Sequence, residues 1–172
     1  TYLIAENDAN FVACHQSLFL ERYDMLDYAA EGAVFLLNSS ASVESVWDTL
    51  PQKTQQQIID KKIKLYSIDA YAVAEKTGMG KRINTIMQTC FFAISGILPK
   101  DEAILAIKQA VEKTYGKKYK RMVDLNFHAI DETLVCLHSI TIPEQSSSEI
   151  EITSVINDSA PEFVQKVTAK II

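Results

Sequence analysis

The stretch Lys61–Leu98, KKIKLYSIDAYAVAEKTGMGKRINTIMQTCFFAISGIL, decides the fold that the sequence predicts. It begins with a short apolar strand, Ile63–Ile68, and continues through a polar segment, Asp69–Lys76, to a glycine turn. A long and mostly apolar helix, Ile83–Leu98, closes it. A buried strand, a turn rich in polar groups and a buried helix form the unit in which α/β proteins place ligand and partner contacts at strand ends.

The rest of the chain alternates strands and helices in the same way. Short, continuous apolar runs predict strands of a buried sheet at Thr1–Ile4, Phe11–His15, Val34–Asn38 and Ile140–Ile142. Apolar residues at helical spacing predict helices over Gln16–Tyr28, from Ser42 to Leu50, and over Gln52–Asp60, Glu102–Tyr115 and Met122–Leu137. We therefore expect an α/β protein with three layers, helix–sheet–helix, around a largely parallel or mixed sheet.

Length and composition favour one domain. The chain has 172 residues, of which 48% are hydrophobic, and a chain of this size buries about two thirds of its unfolded surface. After Pro143 the composition changes to EQSSSE, which is typical of a linker, and Glu149–Ile156 alternates weakly, as an edge strand does. We predict a domain over 1–143, followed over 144–172 by a linker and the lead-in to a next module. Because the chain begins with Thr1 rather than methionine, we expect a piece of a longer polypeptide.

Charge and cysteine content narrow the class of protein. The formal net charge of −5 argues against a general binder of nucleic acids or anionic membranes, because no basic surplus neutralises phosphates. The longest apolar run, Cys90–Leu98, is too short to span a bilayer. The cysteines, Cys14, Cys90 and Cys136, lack metal-binding spacing, so we expect no metal site built by this segment alone. Scattered cysteines without a signal peptide predict reduced thiols and a cytoplasmic location.

Two candidate catalytic residues follow predicted strands. His15 and Asp69 lie at strand ends, where α/β enzymes carry reactive groups. The sequence favours structural roles for both, a hydrogen-bonded strand end for His15 and a cap or turn for Asp69. Cys14 is interpreted as a small core residue, because no base is near it in sequence. The basic run Lys117–Arg121 is interpreted as a solvated face, and no complete active site is evident.

The glycine turn is the stronger candidate for binding. It contains Gly78, Met79 and Gly80, followed by Arg82 and Asn84. An arginine beside two glycines can clamp a phosphate or carboxylate with two hydrogen bonds. A cation gains nothing from the helix dipole at the start of a helix. The position of Arg82 therefore favours contact with a ligand or partner and a surface ion pair equally. As a dinucleotide signature the turn is weak, because it lacks a third glycine.

Several strings, in order along the chain, resemble the gamma-type domain of pyruvate:ferredoxin (or flavodoxin) oxidoreductases. The resemblance covers most of residues 1–143. Its two longest strings are residues 66–92, YSIDAYAVAEKTGMGKRINTIMQTCFF, and 95–118, SGILPKDEAILAIKQAVEKTYGKK. The other strings are NFVACHQ (10–16), FLERYDML (19–26), FLLNS (35–39), VWDTLP (46–51) and LNFHAIDETL (125–134), with PEFVQKV (161–167) as the lead-in to the next module.

The resemblance implies a homodimeric parent enzyme that oxidatively decarboxylates pyruvate, forms acetyl-CoA and passes electrons through iron–sulfur clusters to ferredoxin or flavodoxin. It implies that thiamine diphosphate with magnesium and the clusters are held mainly by other domains, so that this segment binds none alone. The gamma domain takes part in coenzyme A access and packs around the thiamine site. That makes Gly78, Met79, Gly80, Arg82 and Asn84 cofactor-proximal or interdomain residues, with no catalytic residue among them. A glycine-rich segment lies N-terminal to TYLI in the family, which implies a sheet truncated at its N-terminal side.

Three hypotheses therefore stand. In the first, the chain is a non-catalytic part of a multidomain oxidoreductase. In the second, it is a freestanding α/β module that binds an anionic ligand at the turn Gly78–Asn84. In the third, the least favoured, it is a small independent enzyme that uses His15 and Asp69.

Overall fold

A computed structural model describes residues 4–116, 119–152 and 159–166. Within these residues, four strands form one sheet in the order β1-β2-β3-β4, namely β1 (Ala9–Cys14), β2 (Ala29–Asn38), β3 (Lys64–Ile68) and β4 (His138–Ser139). The first three strands pair in parallel, and β4 pairs antiparallel with β3. The α-helices are α1 (Gln52–Asp60), α2 (Ala70–Lys76), α3 (Asn84–Ile94), α4 (Lys100–Tyr115), α5 (Lys120–Cys136) and α6 (Glu162–Lys166).

Helices cover both faces of the sheet, which confirms the expected three-layer α/β fold. Side chains alternate between the two faces along a strand. Phe35 and Leu37 of β2 therefore pack with Ile58 of α1, whereas Leu36 packs on the other side with Ile86 of α3. Burial on both faces explains why β2 has a continuous apolar run rather than an alternating one.

The prediction of a polar connecting segment over Asp69–Lys76 is wrong, because residues 70–76 form helix α2. Ala70, Val73 and Ala74 are buried at positions i, i+3 and i+4, the spacing of one helix face. The polar residues between them face solvent and obscure this short stripe in the sequence.

Two of the α-helices predicted from the sequence are not formed. Residues 16–28 form two short 3-10 helices, Ser17–Glu21 and Met25–Tyr28, rather than one α-helix. Leu18 and Phe19 are exposed, so no continuous apolar stripe faces the sheet. The helix expected from Ser42 is a series of turns that ends in a 3-10 helix, Trp47–Thr49. Leu50 is extended, as the residue before a proline usually is.

Several element boundaries differ from the predicted ones. The central helix ends at Ile94 rather than Leu98, because Gly96 takes a positive φ of 71° that ends a helix. Strand β2 begins at Ala29, five residues before its apolar run. The last strand is His138–Ser139 rather than Ile140–Ile142, although Ile140 still donates its backbone N–H to the carbonyl of Leu65. The helices expected over 52–60, 102–115 and 122–137 are confirmed as α1, α4 and α5.

The segment after Pro143 runs back onto helix α1. Gln55 of α1 is fully buried, and its Oε1 accepts the backbone N–H groups of Ser147 and Ser148 at 2.8 and 3.0 Å. The carbonyl of Ile150 accepts the N–H of Gln52 at 2.8 Å. Of the expected edge strand Glu149–Ile156, the described residues 149–152 form no strand, and 153–156 lie outside the described residues. Residues 1–3 of the first expected strand also lie outside the described residues. The domain boundary at residue 143 stays a prediction.

Candidate functional site

The carboxyl ends of the three parallel strands border a cleft of about 440 Å³, the strand-end cleft. His15 follows β1, Asn38 ends β2 and Asp69 follows β3, so the sheet brings together the two candidate catalytic residues. Ligands of open parallel sheets bind beyond the carboxyl ends of the strands. The cleft is lined by His15, Gln16, Ser17, Leu18, Asn38, Ser39, Ser40, Asp69, Tyr71, Ala72 and Glu75.

Asn38 holds the floor of the strand-end cleft together. Its side chain is buried, its Nδ2 donates to the carbonyl of His15 at 3.0 Å, and its Oδ1 accepts the N–H of Ala70 at 2.9 Å. One amide thereby joins the ends of β1 and β2 to the start of α2. The sequence pattern predicts Asn38 only as the end of a strand. The available signal was an amide directly after four apolar residues, since a buried polar group needs partners.

Asp69 is the N-cap of α2. Its Oδ1 accepts the backbone N–H of Ala72 at 2.9 Å, which is the usual role of an aspartate at this position. Asp69 and Glu75 are carboxylates, and the lining residues of the strand-end cleft include no lysine or arginine. The cleft is therefore electrostatically unfavourable for phosphate or carboxylate ligands.

The cysteine thiols are poorly suited to nucleophilic chemistry. Cys14 and Cys90 lie in the cores on opposite faces of the sheet. Burial raises the pKa of the Cys14 thiol and raises that of Cys90 to about 12. Burial also raises the pKa of Cys136, and the Glu132 carboxylate 3.4 Å from its Sγ adds to the effect. Since the thiolate is the reactive form, all three thiols are weakly reactive near neutral pH.

A second cleft, of about 410 Å³, lies on the other side of Asp69, between α2 and β4. Lys76, Cys136 and His138 line it. Lys76 is 2.5 Å from Glu132. The hydrogen bond and charge of Lys76 hold the pKa of the Glu132 carboxyl below its ordinary value. The lysine that lines this cleft is therefore already neutralised by a carboxylate.

The glycine turn is a close-packed feature at the end of α2. Gly78 and Gly80 have φ angles of 78° and 64°, in the left-handed region that glycine populates readily. Met79 is buried, and its N–H donates to the carbonyl of Ala74 at 2.7 Å. A Cβ atom on Gly78 would lie 3.2 Å from Cδ2 of Leu125 in α5. The turn therefore packs against α5, which lies about 40 residues further along the chain.

Arg82 is exposed, yet the turn and α5 hold it in place. Its Nε donates to the carbonyl of Met79 at 3.1 Å, and one Nη atom lies 3.8 Å from Sδ of Met122. The alternative that the sequence offered, a surface ion pair, is not among the contacts that the described residues make with Arg82. Its remaining N–H donors are available to a partner.

Asn84 does not lie beside Arg82 in a common pocket. It begins α3 and lines a groove of about 450 Å³ between α3 and β1, whose rim also includes His15 and Gln88. The groove floor is apolar and contains Phe11 and Phe91, whose rings meet edge to face at 4.9 Å. The structure thus separates Arg82 and Asn84, the two polar residues that the sequence places together after the glycine turn.

Among residues 4–116, 119–152 and 159–166, no three histidine, cysteine, aspartate or glutamate side chains are grouped to hold a metal ion. None of the helices in this part of the chain has the length and apolar character needed to cross a membrane.

Comparison with known sequences identifies close relatives of much greater length. Residues 1–135 match the family model described as pyruvate ferredoxin/flavodoxin oxidoreductase. A putative pyruvate-flavodoxin oxidoreductase of Synechocystis is 51% identical over 99% of this chain, and the pyruvate-flavodoxin oxidoreductase of Rhodospirillum rubrum is 52% identical over 98%. The pyruvate:ferredoxin oxidoreductase of Moorella thermoacetica is 41% identical over 99%. The matched part is 14% of each of these three proteins.

A solved structure shares the fold. The crystal structure of pyruvate oxidoreductase subunit PORC from Thermotoga maritima aligns with a TM-score of 0.59 over 78% of this chain and 66% of that one. At 19% identity this similarity supports the α/β architecture alone. The family assignment rests on the sequence matches, which run through the strand-end cleft and the glycine turn. The chain belongs to the pyruvate ferredoxin/flavodoxin oxidoreductase family.

Proposed function

We propose that the chain is a non-catalytic module of a multidomain oxidoreductase, and that its glycine turn forms one wall of a site shared with neighbouring domains. The observation that carries this proposal is the combination of extent and identity in the matches. About half of the residues are identical over nearly the whole chain, yet the chain spans 14% of those relatives.

The proposed parent reaction is the oxidative decarboxylation of pyruvate to acetyl-CoA, with electrons passing to ferredoxin or flavodoxin. Thiamine diphosphate with magnesium and iron–sulfur clusters supply this chemistry when bound. The residues present here do not fit a cluster, because two of the three cysteines are buried on opposite faces of the sheet. In this proposal the neighbouring domains hold both groups.

The candidate catalytic residues of the chain support a structural module. Asp69 caps α2, and the carbonyl of His15 is held by Asn38. The thiols of Cys14 and Cys90 have raised pKa values. No described pair among these groups makes the nucleophile–base hydrogen bond that covalent catalysis uses.

The assay for this proposal is the pyruvate-dependent reduction of methyl viologen under anaerobic conditions. The 172-residue chain, supplied with thiamine diphosphate, magnesium and coenzyme A, should show no reduction above the rate without protein. A full-length relative, such as the Rhodospirillum rubrum protein, is the positive control. Turnover by the chain alone that is lost in the variant Asp69→Asn would instead support the independent enzyme.

The second candidate is a freestanding module that binds an anionic ligand at Gly78–Asn84. The favouring observation is Arg82, whose guanidinium is fixed by two contacts and still exposed. Calorimetric titration of the chain with inorganic phosphate and with coenzyme A distinguishes the candidates. Saturable binding of either ligand that is lost in Arg82→Ala supports this module, and absence of heat with both supports the shared wall.

A further inference from the structure

The glycine turn and the start of α5 together form a cationic surface that the sequence does not predict. We call Lys81, Arg82, Lys120 and Arg121 the cationic corner. Lys81 and Arg82 follow the turn, and Lys120 and Arg121 form the first turn of α5. The contact between Arg82 and Met122 joins the two segments, which are 40 residues apart.

The charges of the cationic corner are not neutralised within the described residues. All four side chains belong to exposed residues. The ion pairs found in this part of the chain use other lysines, namely Lys53, Lys62, Lys76 and Lys108. The carboxylate nearest in sequence is Asp124, which is exposed about one turn further along α5. A positive surface thus persists on a chain whose formal net charge is −5.

We propose that the cationic corner is a docking surface for the acidic, carboxylate-rich face of a protein partner. Arg82 is the central group, because its two contacts fix the guanidinium and reduce the entropy lost on binding. Its remaining N–H donors can pair with a carboxylate through two parallel hydrogen bonds. The surrounding cations attract the acidic face and orient it.

Two other classes of ligand fit less well. Small molecules are usually held in concave sites, and none of the four cations lines the strand-end cleft, the second cleft or the groove beside β1. Nucleic acids bind mainly through a basic surplus, which a chain of net charge −5 lacks. Both classes are included in the test as alternative outcomes. The inference goes beyond the proposed function and does not depend on whether the chain is catalytic.

The test is a titration of the ¹⁵N-labelled 172-residue chain followed by NMR, without pyruvate, thiamine diphosphate or coenzyme A. The probes are poly-L-glutamate, inorganic phosphate and a single-stranded DNA oligonucleotide. Poly-L-glutamate should shift the amide signals of residues 78–84 and 119–125, and its affinity should fall as salt increases. No shift in these segments with poly-L-glutamate would overturn the proposal. Equal shifts with phosphate alone would do the same by identifying a small-anion site, and tighter binding of DNA would identify a nucleic-acid surface.

Charge reversal separates the cationic corner from a general charge effect. Arg82→Glu with Arg121→Glu should weaken poly-L-glutamate binding about tenfold or more, because exposed pairs are lost and repulsion is added. The matched control, Lys100→Glu with Lys113→Glu, makes the same change in net charge on exposed positions of α4. It should leave affinity within about twofold, and an equal loss in both variants would overturn the proposal. Should the first variant unfold, Lys81→Gln with Lys120→Gln removes two corner charges and leaves Arg82 in place. It should weaken poly-L-glutamate binding about threefold relative to Lys100→Gln with Lys113→Gln, and equal affinities of these two variants would overturn the proposal.

Discussion

The strand-end cleft and the cationic corner lie at opposite ends of helix α2 and have opposite chemistry. Asp69 begins the helix beside the cleft, and Gly78 follows its end beside the corner. Seven helical residues at about 1.5 Å each separate them by roughly 10 Å. The cleft is concave and has carboxylates, while the corner is exposed and its cations form no ion pair with another residue that the structure describes. Position at the end of a parallel strand is therefore insufficient to identify an anion site, because the polar groups there already serve the fold.

Substitution of Asn38 tests the structural role of the strand-end cleft and should lower stability more than any other change proposed here. Asn38→Ala removes the amide that joins His15 and Ala70, and it leaves the partly buried carbonyl of His15 and the buried N–H of Ala70 without partners. We expect a loss of about 3 kcal/mol in the free energy of unfolding, measured by urea denaturation.

Asn84→Ala is the control for this measurement, since Asn84 is exposed and should cost less than about 0.5 kcal/mol. A cost for Asn38→Ala as small as that of the control would show that the amide is not needed by the fold. Asn38 would then be better explained as a ligand-binding residue of the strand-end cleft.

Gly78→Ala tests how firmly the glycine turn is packed against α5. A left-handed φ costs a non-glycine residue about 1–2 kcal/mol, and the new Cβ would also lie 3.2 Å from Leu125. Gly80→Ala has the same conformational cost with nothing within 4 Å of its Cβ. Thermal or urea unfolding should show a larger loss for Gly78→Ala. Equal losses would mean that the turn and α5 are only loosely joined, which would weaken the case for the cationic corner.

Two substitutions of Asp69 test whether its side chain is needed as a helix cap or for its negative charge. Asp69→Ala should cost about 1 kcal/mol of stability because the N–H of Ala72 loses its acceptor. Asp69→Asn should recover most of that loss, since asparagine caps helices as well as aspartate does. The comparison uses urea unfolding of the two variants. If Asp69→Asn were as unstable as Asp69→Ala, the negative charge rather than the cap would be required there.

The smallest effect concerns Lys76, a cation at the end of α2 that already has a carboxylate partner. Its hydrogen bond and charge lower the folded-state pKa of Glu132 below the ordinary 4.5. A lowered carboxyl pKa stabilises the folded state above the unfolded pKa, and this stabilisation is lost as pH falls through the folded pKa. The stability difference between the wild type and Glu132→Gln, measured by urea unfolding, should therefore be present at pH 7 and vanish well below pH 4.5. Glu112→Gln, an exposed control on α4, should show no such dependence.

The sequence predicted the layers of the fold better than the site. Strands β1, β2 and β3 were recognisable because burial on both faces requires continuous apolar runs, as in Val34–Leu37. The role of Asn38 was not, because its partners His15 and Ala70 are 23 and 32 residues away. The cationic corner was hidden for the same reason, since Arg82 meets Met122 over a separation of 40 residues.

The most direct test of the difference between the cleft and the corner uses a full-length oxidoreductase of the family that carries this segment. Pyruvate-dependent viologen reduction is measured for Arg82→Ala, for Ser40→Ala in the strand-end cleft, and for Lys113→Ala as a control on α4. Because a displaced contact far from the chemistry can cost up to about a hundredfold in rate, we predict that Arg82→Ala lowers activity at least about tenfold. The other two variants should remain within about twofold of the wild type. Equal activity of Arg82→Ala and Lys113→Ala would show that the glycine turn has no role in the shared site, and a larger loss in Ser40→Ala would assign that role to the strand-end cleft.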